Sequence, residues 1–462
     1  MSTAGARVLA IFVMALTICA IAFSLWQFWL FSSGGLLSDF RAFYCAGRLA
    51  GQGVDPYRQE PLYSCEAEPA SPLLWRAVAH VTDPAPLPPY ALAVFVPLSR
   101  LPLGVAAVVW TAVLCCAWIL VALACRAVTQ QSWRVCVASI AFAAMMSLSL
   151  GQIAPLAIAA VCCAGLSLAS GRDFWAGVCA GVAMVEPHVA LPVCIAVFIA
   201  VPRARLGLGG AAAAFIALTL AFGLERNIEY LQSVLPAHEI SDVADVGQFS
   251  LTVLAHVLGL ADEAAARAGA VWYGIVAVAG IATAFALRAR TANRVVIAFI
   301  PMAFAVFGGP YVHWQQVVGA IPVALLLLRL SPNRSPLLAA SLIALAVPWM
   351  YVVGWGTLIP GATAIAALLV WELFEPSAVR QTTIVIFIFV ALLIMNRSLA
   401  HQPSAGVFVA HVRDSDWADL SWGAYVRARI PIGTGLFFWL HFVTWAGLAG
   451  VVVAASRRAL AR

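Results

Sequence analysis

The chain has 462 residues, of which 63% are hydrophobic and only 10% are charged, and its mean hydropathy is +0.97. Soluble domains carry about 25% charged residues, so this chain cannot clothe a soluble surface and reads as an all-α polytopic membrane protein whose main solvent is lipid. All 26 basic residues are Arg, and the surplus of +6 (26 minus 20 acidic) reads as positive-inside bias. No basic stretch is interleaved with aromatics in a polar context, so nucleic acid is set aside as a partner.

Residues 1–31 begin polar and become a long apolar run, read as a first membrane helix that also serves as the insertion signal. Further apolar segments fall at roughly 103–125, 135–150, 153–169, 174–201, 206–222, 268–288, 295–308, 314–330, 336–353, 358–374, 382–398 and 436–455. Short Arg-bearing loops (Arg126 and Arg134, Arg203 and Arg205, Arg288 to Arg294, Arg329 and Arg334) set the cytoplasmic side. Arg172 and Arg203 share that side only if 174–201 crosses twice or re-enters. Its centre is Glu186-Pro187-His188, where a proline and two ionisable groups at membrane depth require a break and a cavity. Two short helices are therefore expected to meet there, giving about 13–14 membrane helices in a single integral domain spanning 1–462, both termini inside. Three longer polar segments, 32–90, 223–267 and 399–435, then face outward. Only there is enough polar chain to build a site.

Segment 32–90 opens with Ser38-Asp39-Phe40-Arg41-Ala42-Phe43-Tyr44-Cys45-Ala46-Gly47-Arg48. Phe40, Phe43 and Tyr44 share one helical face and Arg41 and Arg48 another, which predicts an interfacial helix capped by Ser38 or Asp39. Asp39 reads either as that cap or as a general base at the membrane surface. Asp55-Pro56-Tyr57 is a turn signal. The Pro-rich stretch 86–98 is too broken for an ordinary span and is expected to dip into the membrane edge and line a groove. Cys45 and Cys65 read either as a disulfide in an oxidising compartment or as two free thiols. The remaining Cys show no CxxC or CxxC…H spacing for a structural zinc site. Asp414-Ser415-Asp416 has the DxD pattern of some metal-using transferases, but the tripeptide is common and reads as a solvated turn.

The ordered set Asp39-Phe40, Tyr44, Ala46-Gly47-Arg48, Asp55-Pro56-Tyr57, Pro88-Pro89-Tyr90, Gly151-Gln152-Ile153, Pro187-His188, Gly247-Gln248-Phe249-Ser250-Leu251 and Tyr311-Val312-His313-Trp314-Gln315 resembles the GT-C glycosyltransferases. Within them it is similar to glycosyltransferase family 87, which includes polyprenyl-phosphate-mannose-dependent alpha-mannosyltransferases and related arabinosyltransferases. The resemblance runs over about residues 8–330. It implies a GT-C-type bundle in the cell membrane with its site on the extracytoplasmic side. It also implies metal-independent, inverting transfer of a sugar from a polyprenyl-phosphate donor to a lipid or glycan hydroxyl, with no cofactor. Asp39 takes the position of the family's catalytic carboxylate.

Substrate contacts are expected from Arg41, Tyr44, Arg48, Asp55, Tyr57, Gln152, Glu186, His188, Gln248, His313, Trp314 and Gln315. Arg suits phosphate through its planar fork; amides, imidazoles and Trp suit sugars, although Trp and Tyr also serve as interface anchors. Glu186 departs from the family, which often has Lys there, so the donor phosphate falls to His188, His313 or Arg, and Glu186 to a sugar hydroxyl or a structural pair. Two other readings remain. A transporter or flippase would show paired broken helices in its two halves, and only one broken pair is seen. A polysaccharide polymerase or ligase would place its main polar loop late, as 399–435 is.

Overall fold

In a computed structural model of the chain, the structure describes residues 35–77, 82–243, 245, 247–331, 335–354, 358–374, 378–400, 417–429 and 439–461. The expected first membrane helix and Asp414-Ser415-Asp416 lie outside the described residues. The fold is all-α, with no strand among the described residues beyond isolated bridges, as expected for a polytopic membrane protein.

The chain begins with α1 (Ser38–Gly51) and α2 (Gln59–Glu66), then two single turns, α3 (Pro89–Leu92) and α4 (Phe95–Leu98), in the Pro-rich stretch. Then come α5 (Leu103–Thr129), α6 (Trp133–Leu150), α7 (Ala154–Ala169), α8 (Asp173–Val182), α9 (Pro187–Ala200) and α10 (Ala204–Ala221). A polar segment contributes α11 (Leu224–Glu229), α12 (Leu235–Asp242) and α13 (Leu251–Val257). The long α14 (Asp262–Thr291) and α15 (Val296–Gly308) are followed by α16 (Trp314–Val317) and α17 (Ile321–Leu330). The C-terminal part holds α18 (Pro336–Ala346), α19 (Trp349–Gly354), α20 (Ile359–Leu373), α21 (Ala378–Ala400), α22 (Ala418–Arg429) and α23 (His441–Leu460).

Among the described residues, α5, α6, α10 and α14 are long and apolar enough to cross a membrane, and nine shorter apolar helices accompany them. The apolar segments expected between 103 and 398 each coincide with helix. Segment 174–201 divides as its Pro predicts: α8 runs through one 3-10 turn and stops, and Pro187 opens α9. Segment 336–353 also divides, at Val347 in extended conformation before Pro348. Helices α8 and α10 touch backbone to backbone. A Cβ on Gly177 would strike the carbonyl of Ala204, and one on Gly207 that of Phe174.

Helix α1 differs from the interfacial helix expected. Phe40, Phe43 and Tyr44 do not face a bilayer surface: Phe40 stacks on Trp110 of α5 (6.0 Å), and Phe43 packs on Phe95 of α4 (5.1 Å). Every residue from Phe40 to Gly47 is buried. The aromatic face of α1 is taken up by Trp110 and Phe95, so it is not left to lie on a bilayer. Neither Ser38 nor Asp39 caps the helix; Leu37 is the N-cap, in left-handed conformation, and no side chain caps the first turn. Cys45 on α1 and Cys65 on α2 form a disulfide with Cα atoms 5.7 Å apart, which resolves the two readings of that pair.

Candidate active site

A cavity of about 1190 Å³ opens among α1, the Pro-rich stretch, the α8–α9 junction, α12 and the turn before α16. Asp39 stands in its wall on the first turn of α1. Ser38 Oγ donates to its Oδ1 (2.7 Å), and the side-chain amide of Gln152 donates to its Oδ2. Gln152 is aimed there by the turn between α6 and α7. Gly151 takes φ +79°, its carbonyl accepts from Trp110 Nε1 (2.8 Å), and α1 leaves no room for a Cβ at that point. Burial pushes the Asp39 carboxyl up to about 6, opposed by the Ser38 hydrogen bond and the His313 charge. Asp83 lines the same cavity and, buried beside Asp39, is likewise pushed up.

Across the cavity, Glu186 and His188 face each other at 3.5 Å at the α8–α9 junction. Two tyrosines pin that junction: Tyr90 donates to the Met184 carbonyl (2.8 Å) and Tyr273 to the His188 carbonyl (2.8 Å). Glu186 is buried and the His188 side chain is 9% exposed, and His188 Nε2 has no hydrogen-bond partner among the described residues.

The third wall is a ladder of alternating acids and imidazoles. His238 on α12 lies between Asp419 of α22 (2.9 Å) and Asp242 (3.3 Å). His313 lies between Asp242 (3.7 Å) and Asp245 (3.8 Å). Burial opposes a charged imidazole, but the flanking carboxylates outweigh it and raise both histidines to about 9. The Tyr311 ring stands edge-on to His188 (5.1 Å) and His238 (5.2 Å), joining the second and third walls. The segment carrying His313 is fixed by its own N–H donating to Gln316 Oε1 (2.6 Å), and by Phe249 N–H donating to the Val312 carbonyl (2.6 Å).

Of the residues expected to contact substrate, Gln152, Glu186, His188, His313 and Gln315 line the cavity with Asp39. The others are held elsewhere. Arg41 is 3% exposed, its Nη2 donating to the carbonyls of Cys65 (3.0 Å) and Glu68 (2.9 Å). Arg48 pairs with Glu68 (2.8 Å). Tyr44 donates to the Leu101 carbonyl (2.9 Å) and Tyr57 to that of Leu87 (2.8 Å). Asp55 accepts from Tyr57 N–H (3.0 Å) and pairs with Arg58 (2.9 Å). Gln248 and Trp314 are wholly buried behind the wall, Trp314 against Phe249 (5.9 Å). These side chains build the scaffold: Arg41, Tyr44, Arg48, Asp55 and Tyr57 bond to groups of the protein, and Gln248 and Trp314 are packed away from the cavity.

Sequence reasoning missed Asp83, His238, Asp242 and Asp245 as cavity residues. The i,i+4 spacing of His238 and Asp242 in a polar segment was a usable signal; Asp83 offered none. No Arg lines the cavity among the described residues; its charged and titratable groups are five carboxyls (Asp39, Asp83, Glu186, Asp242, Asp245) and three imidazoles (His188, His238, His313), with tyrosines beside them.

Compared with known proteins, residues 87–307 match the family model described as Glycosyltransferase family 87, just under half of the chain. The match bears out the resemblance read from the sequence and supports a glycosyltransferase of the GT-C kind. It spans Gln152, Glu186, His188, His238, Asp242 and Asp245, and leaves Asp39 and His313 on either side. No curated protein and no solved structure matches.

Proposed function

Taking the glycosyltransferase family 87 match as the premise, we propose that the chain moves a sugar, mannose or another hexose or pentose, from a polyprenyl-phosphate donor to a hydroxyl of a lipid or glycan acceptor. The transfer inverts the anomeric centre and takes place on the outer face of the cell membrane. The acceptor oxygen attacks the anomeric carbon while its proton passes to the Asp39 carboxylate. The bond from that carbon to the phosphate oxygen breaks, and the polyprenyl phosphate leaves with the electron pair.

The observation that carries this reading is the setting of Asp39. Its carboxylate faces a cavity large enough for a sugar and is oriented by Gln152. Burial raises it to about 6, which makes it a better base than a solvated Asp while leaving it ionised near neutral pH. Positive charge for the leaving phosphate comes from the imidazole side of the cavity, His313 above all, since Arg41 and Arg48 are committed elsewhere. His188 Nε2, buried without a partner, is free to bond a sugar hydroxyl or a phosphate oxygen. Glu186 suits a sugar hydroxyl. The family match favours transfer over the transporter reading.

Purified protein assayed with a panel of polyprenyl-phosphate sugars tests this. Asp39→Asn is expected to remain folded and to lose transfer; wild-type turnover in that variant rejects Asp39 as the base. A wild-type protein idle with every member of the panel rejects the donor class.

A further inference from the structure

Resting on the transfer reading above, we propose that Trp75 and Asp83 form the acceptor subsite of the cavity and that the acceptor presents a sugar ring to them. The Trp75 indole covers one face of that ring, and the Asp83 carboxyl bonds a hydroxyl beside the one that attacks. The acceptor is then a saccharide or glycoconjugate, not a plain lipid alcohol.

Both side chains line the cavity with Asp39, and the fold places both through the backbone. Leu36 N–H donates to the Leu73 carbonyl (2.8 Å) and Trp75 N–H to the Leu36 carbonyl (2.8 Å), which lays Trp75 against the segment that leads into Asp39. Glu66, wholly buried at the end of α2, accepts from Ala77 N–H through its carbonyl (3.2 Å) and from Asp83 N–H through Oε2 (3.1 Å). The chain that carries Trp75 and Asp83 is thereby fastened at two points, and α2 is itself tied to α1 by the Cys45–Cys65 disulfide.

Asp83 is 9% exposed, and the charged groups that act on it, Asp39 and Asp419, are both acidic. The Ser38 hydroxyl within its reach already donates to Asp39 Oδ1 (2.7 Å). A buried carboxyl without a cation is costly unless a ligand completes its bonding. Burial, and then the Asp39 charge, push it up toward the protonated form, which donates as well as accepts, as a sugar hydroxyl does. Trp75 supplies the apolar complement: it is partly exposed, and the electron-rich face of an indole suits the weakly positive C–H edges of a sugar ring.

Inversion fixes which sugar this is. The attacking and leaving oxygens stand on opposite faces of the anomeric carbon. With the imidazoles of His188 and His313 taking the phosphate, the acceptor lies toward Asp39, the side that carries Trp75 and Asp83. Both precede residue 87, where the family match begins.

The test of binding needs no donor. Full-length protein in detergent is titrated with methyl glycosides of mannose, glucose, galactose and arabinose, and saturation transfer to their ring protons is read by NMR. At least one glycoside is expected to receive saturation. Trp75→Leu and Asp83→Ala are each expected to raise its Kd about tenfold or more, the scale of one well-formed polar contact. The exposed Glu263→Gln changes nothing. Should either truncation fail to yield monodisperse protein, Trp75→Phe and Asp83→Asn replace them, with a smaller shift in the same direction. No ring-proton signal from any glycoside, or an unchanged Kd in the variants, overturns the proposal. In turnover with a lipid-phosphate sugar, the variants are expected to raise KM for the acceptor and not for the donor. A raised donor KM in its place, or equal turnover with n-octanol, also overturns it. Saturation transfer without turnover counts against the donor class alone, and turnover without saturation transfer counts against the saccharide subsite alone.

Discussion

The side-chain amide of Gln152 donates to the Asp39 carboxylate from 113 residues downstream, and this contact joins the first turn of α1 to the turn between α6 and α7. It holds Oδ2 while Ser38 Oγ holds Oδ1 (2.7 Å), so both oxygens of the carboxylate are oriented in the cavity wall.

Removing that donor has a defined consequence. A hydrogen bond to a charged group contributes about 1.5–3 kcal/mol. Gln152→Ala is therefore expected to lower kcat about tenfold or more with a smaller effect on KM. Because the bond favours the ionised carboxyl, its loss also moves the acidic limb of the pH–rate profile upward. An unchanged profile in the variant would show that Gln152 does not orient the base.

The pH dependence of the wild-type enzyme follows from the same residue. Asp39 has to be ionised to accept a proton, and burial, partly offset by Ser38 and His313, places its pKa at about 6. The transfer rate is expected to rise with pH through about 6 and level off above it. Rates measured from pH 4 to 8 check this; a plateau that persists down to pH 4 contradicts a buried base at this position.

Gly151 allows the turn that aims Gln152. Its φ of +79° is a left-handed conformation, and a Cβ there would meet Phe40 Cβ at 2.5 Å. Gly151→Ala combines backbone strain of about 1–2 kcal/mol with overpacking of about 1–3 kcal/mol. A lower Tm and reduced transfer are expected together. Full activity at wild-type Tm would show that the turn tolerates displacement.

The Cys45–Cys65 disulfide ties the helix that bears Asp39 to α2, whose Glu66 accepts the backbone N–H of Asp83 (3.1 Å). Breaking a crosslink of this kind costs about 2–4 kcal/mol. The double Cys45→Ser, Cys65→Ser variant is expected to unfold at lower temperature, and treatment of the wild type with a reductant to reproduce the shift. Identical thermal transitions with and without reductant would refute a stabilising role.

Much of the fold was legible in the residues alone. Segments such as 103–125 and 268–288 announce helices by hydropathy, and Glu186-Pro187-His188 announces a break by the stiffness of Pro. The site was legible only in part. Asp39, Gln152, Glu186, His188, His313 and Gln315 meet at the cavity, yet Arg41, Tyr44, Arg48 and Tyr57, no less suited chemically, are taken up by other carbonyls and a carboxylate, and Asp55 by the Tyr57 N–H and the Arg58 guanidinium.

By itself, then, the amino-acid order determined that the chain lives in lipid, that it is helical, and where its apolar helices lie. Those properties sum over neighbouring residues, since backbone hydrogen bonds in hydrocarbon have to be met within the segment. Only the tertiary structure decided which polar groups share a cavity. His238 meets Asp419 across 181 residues of sequence and Asp39 meets Gln152 across 113. Such pairs depend on how helices pack, and packing is set by contacts between segments that no local pattern records.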